Sequence, residues 1–243
     1  MITYKQHEVT KMKVLITAGH TVEKIDNVRH IANLSTGQLG AAIAECFAER
    51  DYTKEICYIC NNTAVKPKAA VRLKEVSNVA DLEAAVFNEI RGGGFDIVIH
   101  AMAVSDYRVK GVGCLYKIAD GFDAPRGKID SNIEDLLLLL EPTPKIISSY
   151  RKLGFDGILV GFKLLDGASF EQLIDRAFDL LVTNGCDYVL ANDQKSLSLD
   201  PLNHTGYLVA PDRSYQKFES KTAIARGIAD TVTRRFLTAG QEV

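Results

Sequence analysis

The stretch VLITAGHTVEKIDNVRHIANLSTGQLG, from Val14 to Gly40, decides the fold of this chain. It opens with the apolar run Val14–Ile16, which is typical of a buried strand. Gly19 follows, where a tight turn would bring backbone amides close to a ligand. A connection in an α/β fold normally takes a few residues, but here the next helix is predicted to begin only near Gly37. Because a long polar connection after the first strand of an open sheet usually holds a site, we expect a ligand there.

Polar side chains are spread along this connection: Glu23, Asp26, Arg29, Asn33, Ser35 and Thr36. Two of these positions also have ordinary structural explanations. Asn33 is equally typical of a turn residue at positive φ. The segment Ser35–Gly40 would serve as a simple helix cap or as a phosphate contact.

The composition is that of an ordinary globular chain, with 47% hydrophobic and 25% charged residues among 243. The net charge of −2 argues against a nucleic-acid partner. No apolar run approaches the ~20 residues of a membrane span, so we expect no membrane association. Residues 1–11 lack the apolar core of a signal peptide and are interpreted as a disordered or vector-derived lead. Residues 12–243 are then predicted to form a single α/β domain.

Five cysteines are scattered through the chain, and Cys57 and Cys60 form a CxxC pair. The pair lies in a predicted strand rather than at the helix N-terminus that lowers the pKa of a redox thiol. No second pair completes a tetrahedral zinc site. Reduced cysteines and the lack of an export signal predict a cytoplasmic location.

The remaining patterns alternate between strands and helices, which predicts a Rossmann-like open, mainly parallel sheet with helices on both faces. Strands are predicted over 13–17, 54–60, 71–76, 95–100, 134–141, 157–164 and 187–191, and a hairpin over 205–218. Helices are predicted over 37–50, 78–91, 144–153, 169–182 and 221–237. No period fits 107–132, which we interpret as an active-site flap or a subunit-contact arm.

Ligands of open α/β sheets bind beyond the carboxyl ends of the strands, and polar residues follow the predicted strands at these points. Such a pocket would suit a phosphorylated, anionic substrate. Each residue also has a structural explanation. Asp106 could cap a turn, Lys128 could be a solvated surface lysine, and Lys163 could reach from a strand end to solvent. His100 ends a buried strand, where a structural histidine is more common than a base.

Familiar nucleotide motifs are missing from the sequence. The turn after the first strand has no GxGxxG pattern, and the chain contains neither a Walker motif nor a GxSxG elbow. Two alternative functions remain open at this point. One is an NAD(P)-dependent oxidoreductase on a Rossmann-like sheet, and the other is a non-catalytic nucleotide-binding protein of the same fold.

Four blocks in order carry a family resemblance: Val14–Gly40, HAMAVSDYRV from His100, GKIDSNIEDLLLLLEPTPKII from Gly127 with GFKLL from Gly161, and DYVLANDQ from Asp187. Together they resemble phosphopantothenoylcysteine synthetases, or phosphopantothenate–cysteine ligases, of the free-standing bacterial type. The resemblance implies a ligase of coenzyme A biosynthesis that joins 4′-phosphopantothenate to L-cysteine through an acyl cytidylate. It also implies CTP as co-substrate, Mg²⁺, a homodimer and no flavin.

The same resemblance implies roles for individual residues. Arg29 would contact the phosphate or carboxylate end of phosphopantothenate, Asn33 the acyl carbonyl, and the Ala103 backbone the same substrate. Asn33 and Lys128 would be catalytic. Lys128 lies on a flap that would close over the triphosphate. Asp106 would face the ribose or the metal-bound phosphates. The nucleotide would be bound by Gly19, His100, Ala101, Met102, Asp106, Lys128, Pro144, Lys145, Ile146, Ile147, Phe162 and Lys163.

Three departures from the family pattern concern the phosphate contacts. His20 replaces the usual second glycine of the turn after the first strand. Leu180 and Asn184 stand where many members carry two helix lysines, and Lys163 is the candidate to compensate. Asp130 and Ser131 replace lysines of the flap motif, so the choice between CTP and ATP stays open. The dimer contact is expected from 107–132 and the hairpin at 205–218.

Overall fold

The computed structural model describes residues 11–124, 127–196 and 203–239. Most of the predicted lead, residues 1–10, therefore lies outside the described residues. The strands are β1 (Met12–Ala18), β2 (Val22–Lys24), β3 (His30–Ala32), β4 (Thr53–Cys60), β5 (Arg72–Glu75), β6 (Ile97–His100), β7 (Tyr107–Cys114), β8 (Leu136–Pro142), β9 (Ile158–Leu165), β10 (Tyr188–Asp193), β11 (Asn203–Val209) and β12 (Tyr215–Ser220). The α-helices are α1 (Gln38–Ala48), α2 (Val79–Gly93), α3 (Ser149–Lys152), α4 (Phe170–Asn184) and α5 (Lys221–Ala239).

Eight strands form the central sheet in the order β12-β11-β10-β9-β6-β1-β4-β5. The strands from β5 to β10 are parallel, and the hairpin β11–β12 adds an antiparallel edge beside β10. The chain moves outward from β1 to β5 and then returns to β6 on the other side of β1. The strand order therefore reverses between β1 and β6, where doubly wound folds bind their ligands. The predicted fold class is confirmed.

Each face of the sheet carries an apolar core. On one face, Ile16, Tyr58 and Ile99 pack with residues of α1 and α5 such as Phe47 and Ile228. On the other face, alternate strand residues pack with α2 and α4. Because both faces are covered, the central strands have near-continuous apolar sequences, which is why they could be predicted from short apolar runs.

Local signals fix the starts and ends of α2 and α4, the helices that precede β6 and β10 in the chain. Asn78 and Ser169 form capping boxes at the starts of α2 and α4, each pairing side chain and backbone with the third helical residue. Gly94 and Gly185 end these helices in the left-handed conformation. The helix predicted after Asn78 is confirmed.

The prediction of an irregular segment over 107–132 is wrong at its start. Tyr107–Cys114 is strand β7, which pairs antiparallel with the leucine-rich β8 to form a two-stranded ribbon outside the central sheet. No alternation was visible because Gly111 and Gly113 replace side chains on this strand. A Cβ on Gly111 would lie 2.8 Å from the Phe122 Cβ, so the glycines make room for that ring.

The helix predicted over 144–153 is shorter than expected. The chain forms a 3-10 turn at Ile146–Ser148 and then α3, so Pro144 precedes the helix instead of opening it. Pro142 and Pro144 both disfavour helical backbone in the residue before them. Thr143, between them, instead donates its backbone N–H to the Asp106 carbonyl at 2.9 Å.

Candidate active site

The connections after β1 and β6 are joined at the switch point of the sheet. The Ala103 N–H donates to the Gly19 carbonyl at 2.9 Å, and the Thr21 N–H donates to the Ala103 carbonyl at 3.2 Å. Ser105 donates its backbone N–H to the Thr21 hydroxyl at 2.8 Å. These bonds bring together Gly19 and Ala103, two of the residues predicted to bind a ligand.

Gly19 is required by its surroundings. Its φ is +79°, and a Cβ there would lie 2.2 Å from the Asn61 Oδ1. Gly37, the N-cap of α1, packs over it in the left-handed conformation and has no side-chain cap. The first-turn amides of α1 therefore lie beside the end of β1, where they suit an anionic ligand.

His20, at the position of the usual second glycine, is fixed by polar contacts. Its Nδ1 lies 2.7 Å from the Ser35 carbonyl oxygen, and its backbone N–H donates to the Asn61 Oδ1 at 3.1 Å. The ring lines an open cavity of about 650 Å³ together with Asn33, Thr36 and other residues of the same connection. The imidazole thus forms part of the cavity wall.

Asn33 lies at the edge of this cavity and is exposed. Its Nδ2 donates to the Val104 carbonyl at 3.3 Å, so the structure brings Asn33 next to the segment that holds Ala103. Asn33 is not among the described residues with positive φ, so a left-handed turn does not account for it. The connection itself is partly regular, because β2 and β3 pair within it.

Asp26 ties the predicted flap to the connection after β1. Its Oδ2 accepts hydrogen bonds from the Arg29 Nη2 at 2.6 Å and from the Ile129 N–H at 3.1 Å. Arg29 also donates to the Ile129 carbonyl at 2.8 Å. The guanidinium, aided by backbone amides, holds the pKa of Asp26 far below its ordinary value. Lys128, whose neighbour is thus anchored, is exposed beside this junction.

Asp106 and Lys145 form an exposed ion pair. The backbone around Asp106 is tied to the end of β8, because the Thr143 hydroxyl donates to the Ser105 carbonyl. The structure therefore brings the segment after β6 together with the predicted nucleotide-binding block at Pro144–Ile147, in which Pro144 is exposed.

His100 is structural rather than acid–base in character. Its Nδ1 lies 3.0 Å from both the Thr17 hydroxyl and the Tyr150 hydroxyl, and the residue is only 7% exposed. Burial lowers its pKa to about 4, so the ring is neutral at pH 7. The side chain is thus held by structural contacts, and a nucleotide contact through the backbone of His100 stays a prediction.

The predicted nucleotide-binding residues lie on both faces at the carboxyl edge. Ala101 and Phe162 pack against the core beneath α1 and α5. Met102, Ile146 and Ile147 pack against the core beneath α2 and α4. A ligand that touched all of them would have to cross the edge of the sheet, as a nucleotide does in doubly wound folds.

Lys163 lies beside Leu180 and Asn184, the two α4 residues that stand where many family members carry lysines. It lines a small cavity of about 240 Å³ with Leu180, Asn184 and Arg176. The helix lysines are thus replaced by neutral residues, and the positive charges at this place are those of Lys163 and of Arg176, which pairs with Asp179 of the same cavity at 3.6 Å. That Lys163 compensates for the missing helix lysines stays a prediction.

A metal ion would find few ligands here. Across the described parts of the chain, no group of three or more histidine, cysteine, aspartate or glutamate side chains is arranged to hold one. The Asp106 carboxylate fits only a metal that is held mainly by the phosphates of a ligand, as Mg²⁺ commonly is. Cys57 and Cys60 lie buried in β4, and burial raises the pKa of Cys57 to about 12.

Sequence reasoning gave no role to several residues that build this site. Asp26 was seen only as a polar residue of the connection, and its spacing of three from Arg29 was the available signal. Thr21 and Ser105, which join the two connections, gave no signal, because their pairing spans 84 residues. Asn61 lies beyond β4, and nothing local points to its contact with Gly19.

The chain has a doubly wound sheet with a polar junction at its switch point, which is the arrangement of ligand-binding α/β proteins. More specifically, the chain belongs to the family described as the DNA/pantothenate metabolism flavoprotein C-terminal domain, which matches residues 9–236. No helix in the described ranges has both the length and the apolar character needed to cross a membrane.

Two curated relatives are called coenzyme A biosynthesis bifunctional protein CoaBC. That of Thermococcus kodakarensis is 38% identical over 185 residues, covering 76% of this chain and 42% of the relative. That of Methanocaldococcus jannaschii is 33% identical over 184 residues, covering 74% and 40%. The chain thus spans about two fifths of the length of these relatives.

Solved structures share the fold. The DNA/pantothenate metabolism flavoprotein from Streptococcus pneumoniae has a TM-score of 0.83 at 32% identity, covering 92% of this chain and 99% of that chain. A mutant of Cab2 in complex with phosphopantothenate-cysteine has a TM-score of 0.73 at 18% identity, covering 96% and 89%. At that identity the likeness to Cab2 concerns the fold alone.

Proposed function

We propose that this chain is a phosphopantothenate–cysteine ligase of coenzyme A biosynthesis. The observation that carries the proposal is the junction at the switch point, where Gly19 is hydrogen-bonded to Ala103 and the Asn33 side chain reaches the Val104 carbonyl from the edge of an open cavity. The family membership and the names of the CoaBC relatives support the same reaction.

The reaction needs an activated carboxylate, because a free carboxylate is a poor acyl donor. The phosphopantothenate carboxylate attacks the α-phosphorus of CTP, which forms the acyl cytidylate and releases pyrophosphate. The cysteine amine then attacks the acyl carbon, loses a proton, and displaces CMP. Donors directed at the acyl and phosphoryl oxygens stabilise the charge that develops in both steps.

Asn33 would supply such a donor to the acyl oxygen, and the position of its amide group at the edge of the cavity beside the Ala103 segment supports this role. Arg29 would contact the anionic end of phosphopantothenate with donors left over from its bonds to Asp26 and Ile129. Lys128 would close over the triphosphate, since the residue after it is already anchored to Asp26.

CTP would lie across the carboxyl edge, between the Phe162 side and the Ile147 side of the sheet. Lys145 and Lys163 would add positive charge, and Asp106 would face the ribose or phosphates. Mg²⁺ would be held mainly by the phosphates, with Asp106 as a contributing carboxylate. When bound, the metal would neutralise phosphate charge.

The test is product formation with each nucleotide offered separately. With phosphopantothenate, cysteine and Mg²⁺, we expect CTP to give phosphopantothenoylcysteine by mass spectrometry, and pyrophosphate only when both CTP and phosphopantothenate are present. Binding of nucleotide without pyrophosphate release would favour a non-catalytic binding protein. For an oxidoreductase, NAD(P) rather than CTP would stabilise the fold, by ~2.7 kcal/mol at 100 times its Kd.

The proposal includes a homodimer. The ribbon β7–β8 lies outside the central sheet and exposes Leu139 and Leu140, which are 38% and 41% accessible. Exposed leucines on a two-stranded ribbon are typical of a contact surface. The cytoplasmic location expected from the cysteines stays a prediction.

A further inference from the structure

The side chain of His20 connects the junction of β1 and β6 to the segment that carries Asn33. The backbone of His20 belongs to the junction, because it pairs with Ala103 in an isolated parallel bridge. The ring lines the same cavity as Asn33, and its Nδ1 lies 2.7 Å from the Ser35 carbonyl oxygen. Since Ser35 follows Asn33 by two residues, the imidazole joins the sheet to the immediate neighbourhood of the Asn33 side chain.

The contacts of the His20 ring assign its tautomer. A carbonyl oxygen can only accept, so Nδ1 carries a proton and donates it to Ser35. The Nε2 lies 3.4 Å from the Nδ2 of Asn61, a group that can only donate. The buried amide of Asn61 is itself oriented, because its Oδ1 accepts the His20 backbone N–H at 3.1 Å and its Nδ2 donates to the Thr63 hydroxyl at 2.6 Å. Asn61 therefore holds the ring with its Nδ1–H directed at the Ser35 carbonyl.

The segment that carries Asn33 needs such a contact to stay in one position. Residues 33–37 lie outside helices and strands, and both Asn33 and Leu34 are exposed. The Asn33 side chain makes a long hydrogen bond of 3.3 Å to the Val104 carbonyl, whereas the bond from His20 has the length of a strong one. A shift of ~1 Å in a reacting group can slow an enzyme by about 100-fold, so the bond from His20 matters for chemistry at Asn33.

We propose that His20 is a positioning residue, whose Nδ1–H holds the Ser35 carbonyl and thereby directs the Asn33 amide toward the reacting acyl group. The effect on catalysis rests on the proposed function, whereas the contact between His20 and Ser35 does not. Because a glycine is usual at the position of His20, this arrangement belongs to the present chain and not to the family pattern.

His20→Leu and His20→Asn form a matched pair of variants, because leucine and asparagine have the same branched shape and differ in hydrogen bonding. The asparagine Nδ2 takes the place of the imidazole Nδ1, so His20→Asn keeps a donor and His20→Leu removes it. We expect the kcat for product formation with CTP to fall about tenfold in His20→Leu, with less than about a twofold change in the KM for phosphopantothenate, and His20→Asn to restore most of the kcat. Equal kcat values in the two variants, or a rise in KM at unchanged kcat, would overturn the proposal.

A double-mutant cycle tests whether His20 acts through Asn33. Because Asn33→Ala removes the group that is positioned, adding His20→Leu should slow product formation further by less than about twofold. A further loss of about tenfold would make the effect of His20 independent of Asn33 and would overturn the proposal. Near-normal turnover by Asn33→Ala alone would overturn it as well.

Limited chymotrypsin digestion tests the contact without relying on turnover, because Leu34 is fully exposed in the segment that His20 holds. We expect cleavage after Leu34 to be about fivefold faster in His20→Leu than in wild type, as for one lost hydrogen bond, and unchanged in His20→Asn. Cleavage after the exposed Tyr215 of β12 is the internal control and should not differ. A wild-type chain that makes no product but shows this difference would keep the contact and reject the ligase. Equal cleavage after Leu34 in the two variants would overturn the proposal in either case.

Discussion

Asn33 is the residue on which the proposed chemistry most depends. We expect Asn33→Asp to reduce turnover by roughly 100-fold or more, because a carboxylate would replace a donor where negative charge develops. Asn33 is exposed, so its replacement should leave the Tm nearly unchanged. The measurement is steady-state product formation beside a thermal melt. Near-normal turnover would remove Asn33 from the mechanism.

Gly19 is predicted to be essential for stability as well as for the site. Gly19→Ala should cost about 3 kcal/mol of unfolding free energy, because its φ is +79° and the new Cβ would collide with Asn61. The matched control is Gly92→Ala near the end of α2, where no atom lies within 4 Å of the added Cβ.

For Gly92→Ala we expect the free energy of unfolding to rise by about 0.5 kcal/mol, since alanine favours helix more than glycine does. Chemical denaturation measures both variants. Equal effects at the two glycines would contradict the packing described around Gly19.

The residues of the site differ in whether the sequence alone could identify them. Gly19, Asn33 and Ala103 were identifiable because they lie in recognisable blocks at strand ends. Thr21 and Asn61 were not, because their role comes from contacts between segments far apart in sequence. His100 could be judged only once its burial against Tyr150 was known.

At the scale of elements, the link between the flap and the β1 connection depends on the charge of Asp26. The folded pKa of Asp26 lies well below its ordinary value, so its stabilising contribution is complete above about pH 4 and falls as pH drops toward the folded pKa. Asp26→Asn should therefore lower the Tm at pH 7, and the difference from wild type should shrink below about pH 4.

Limited trypsin digestion provides an independent check on this link. Because the Ile129 N–H loses its carboxylate acceptor in Asp26→Asn, we expect faster cleavage after the neighbouring Lys128, measured by mass spectrometry of the fragments at pH 7. An unchanged cleavage rate together with a pH-independent difference in Tm would contradict the anchoring described here.

The ribbon β7–β8 is the surface expected to form the dimer contact. We expect Leu140→Asp to convert the proposed homodimer to a monomer, because a charge would enter an apolar contact. Leu73→Asp is the control, since Leu73 is similarly exposed at 44% but lies on β5, at the other edge of the sheet from the β11–β12 hairpin. Sedimentation velocity distinguishes the two states. A wild-type monomer at micromolar concentration would reject the homodimer.

Elements differ in how well their sequence reveals them. The starts of α2 and α4 could be predicted because Asn78 and Ser169 satisfy helix amides through short-range contacts. The strand β7 could not, because its glycines accommodate Phe122 and remove the alternation that marks a strand. Local interactions can be predicted from the sequence, whereas packing between distant segments cannot.

At the scale of the whole molecule, the strand order explains why residues from distant blocks meet. The return from β5 to β6 places the connections after β1 and β6 side by side, and the ribbon brings the end of β8 to Asp106. The alternation of strands and helices was sufficient to predict the fold class. The position of the ribbon and the hairpin relative to the sheet depended on tertiary contacts.

The central claim is that the carboxylate of phosphopantothenate is activated by transfer of a cytidylyl group. The direct measurement is mass spectrometry of CMP formed from phosphopantothenate whose carboxylate oxygens are labelled with ¹⁸O. We predict one ¹⁸O atom in each CMP and none in pyrophosphate, because a carboxylate oxygen stays with the departing phosphate when the amide forms. Unlabelled CMP, or label in released inorganic phosphate, would contradict the account.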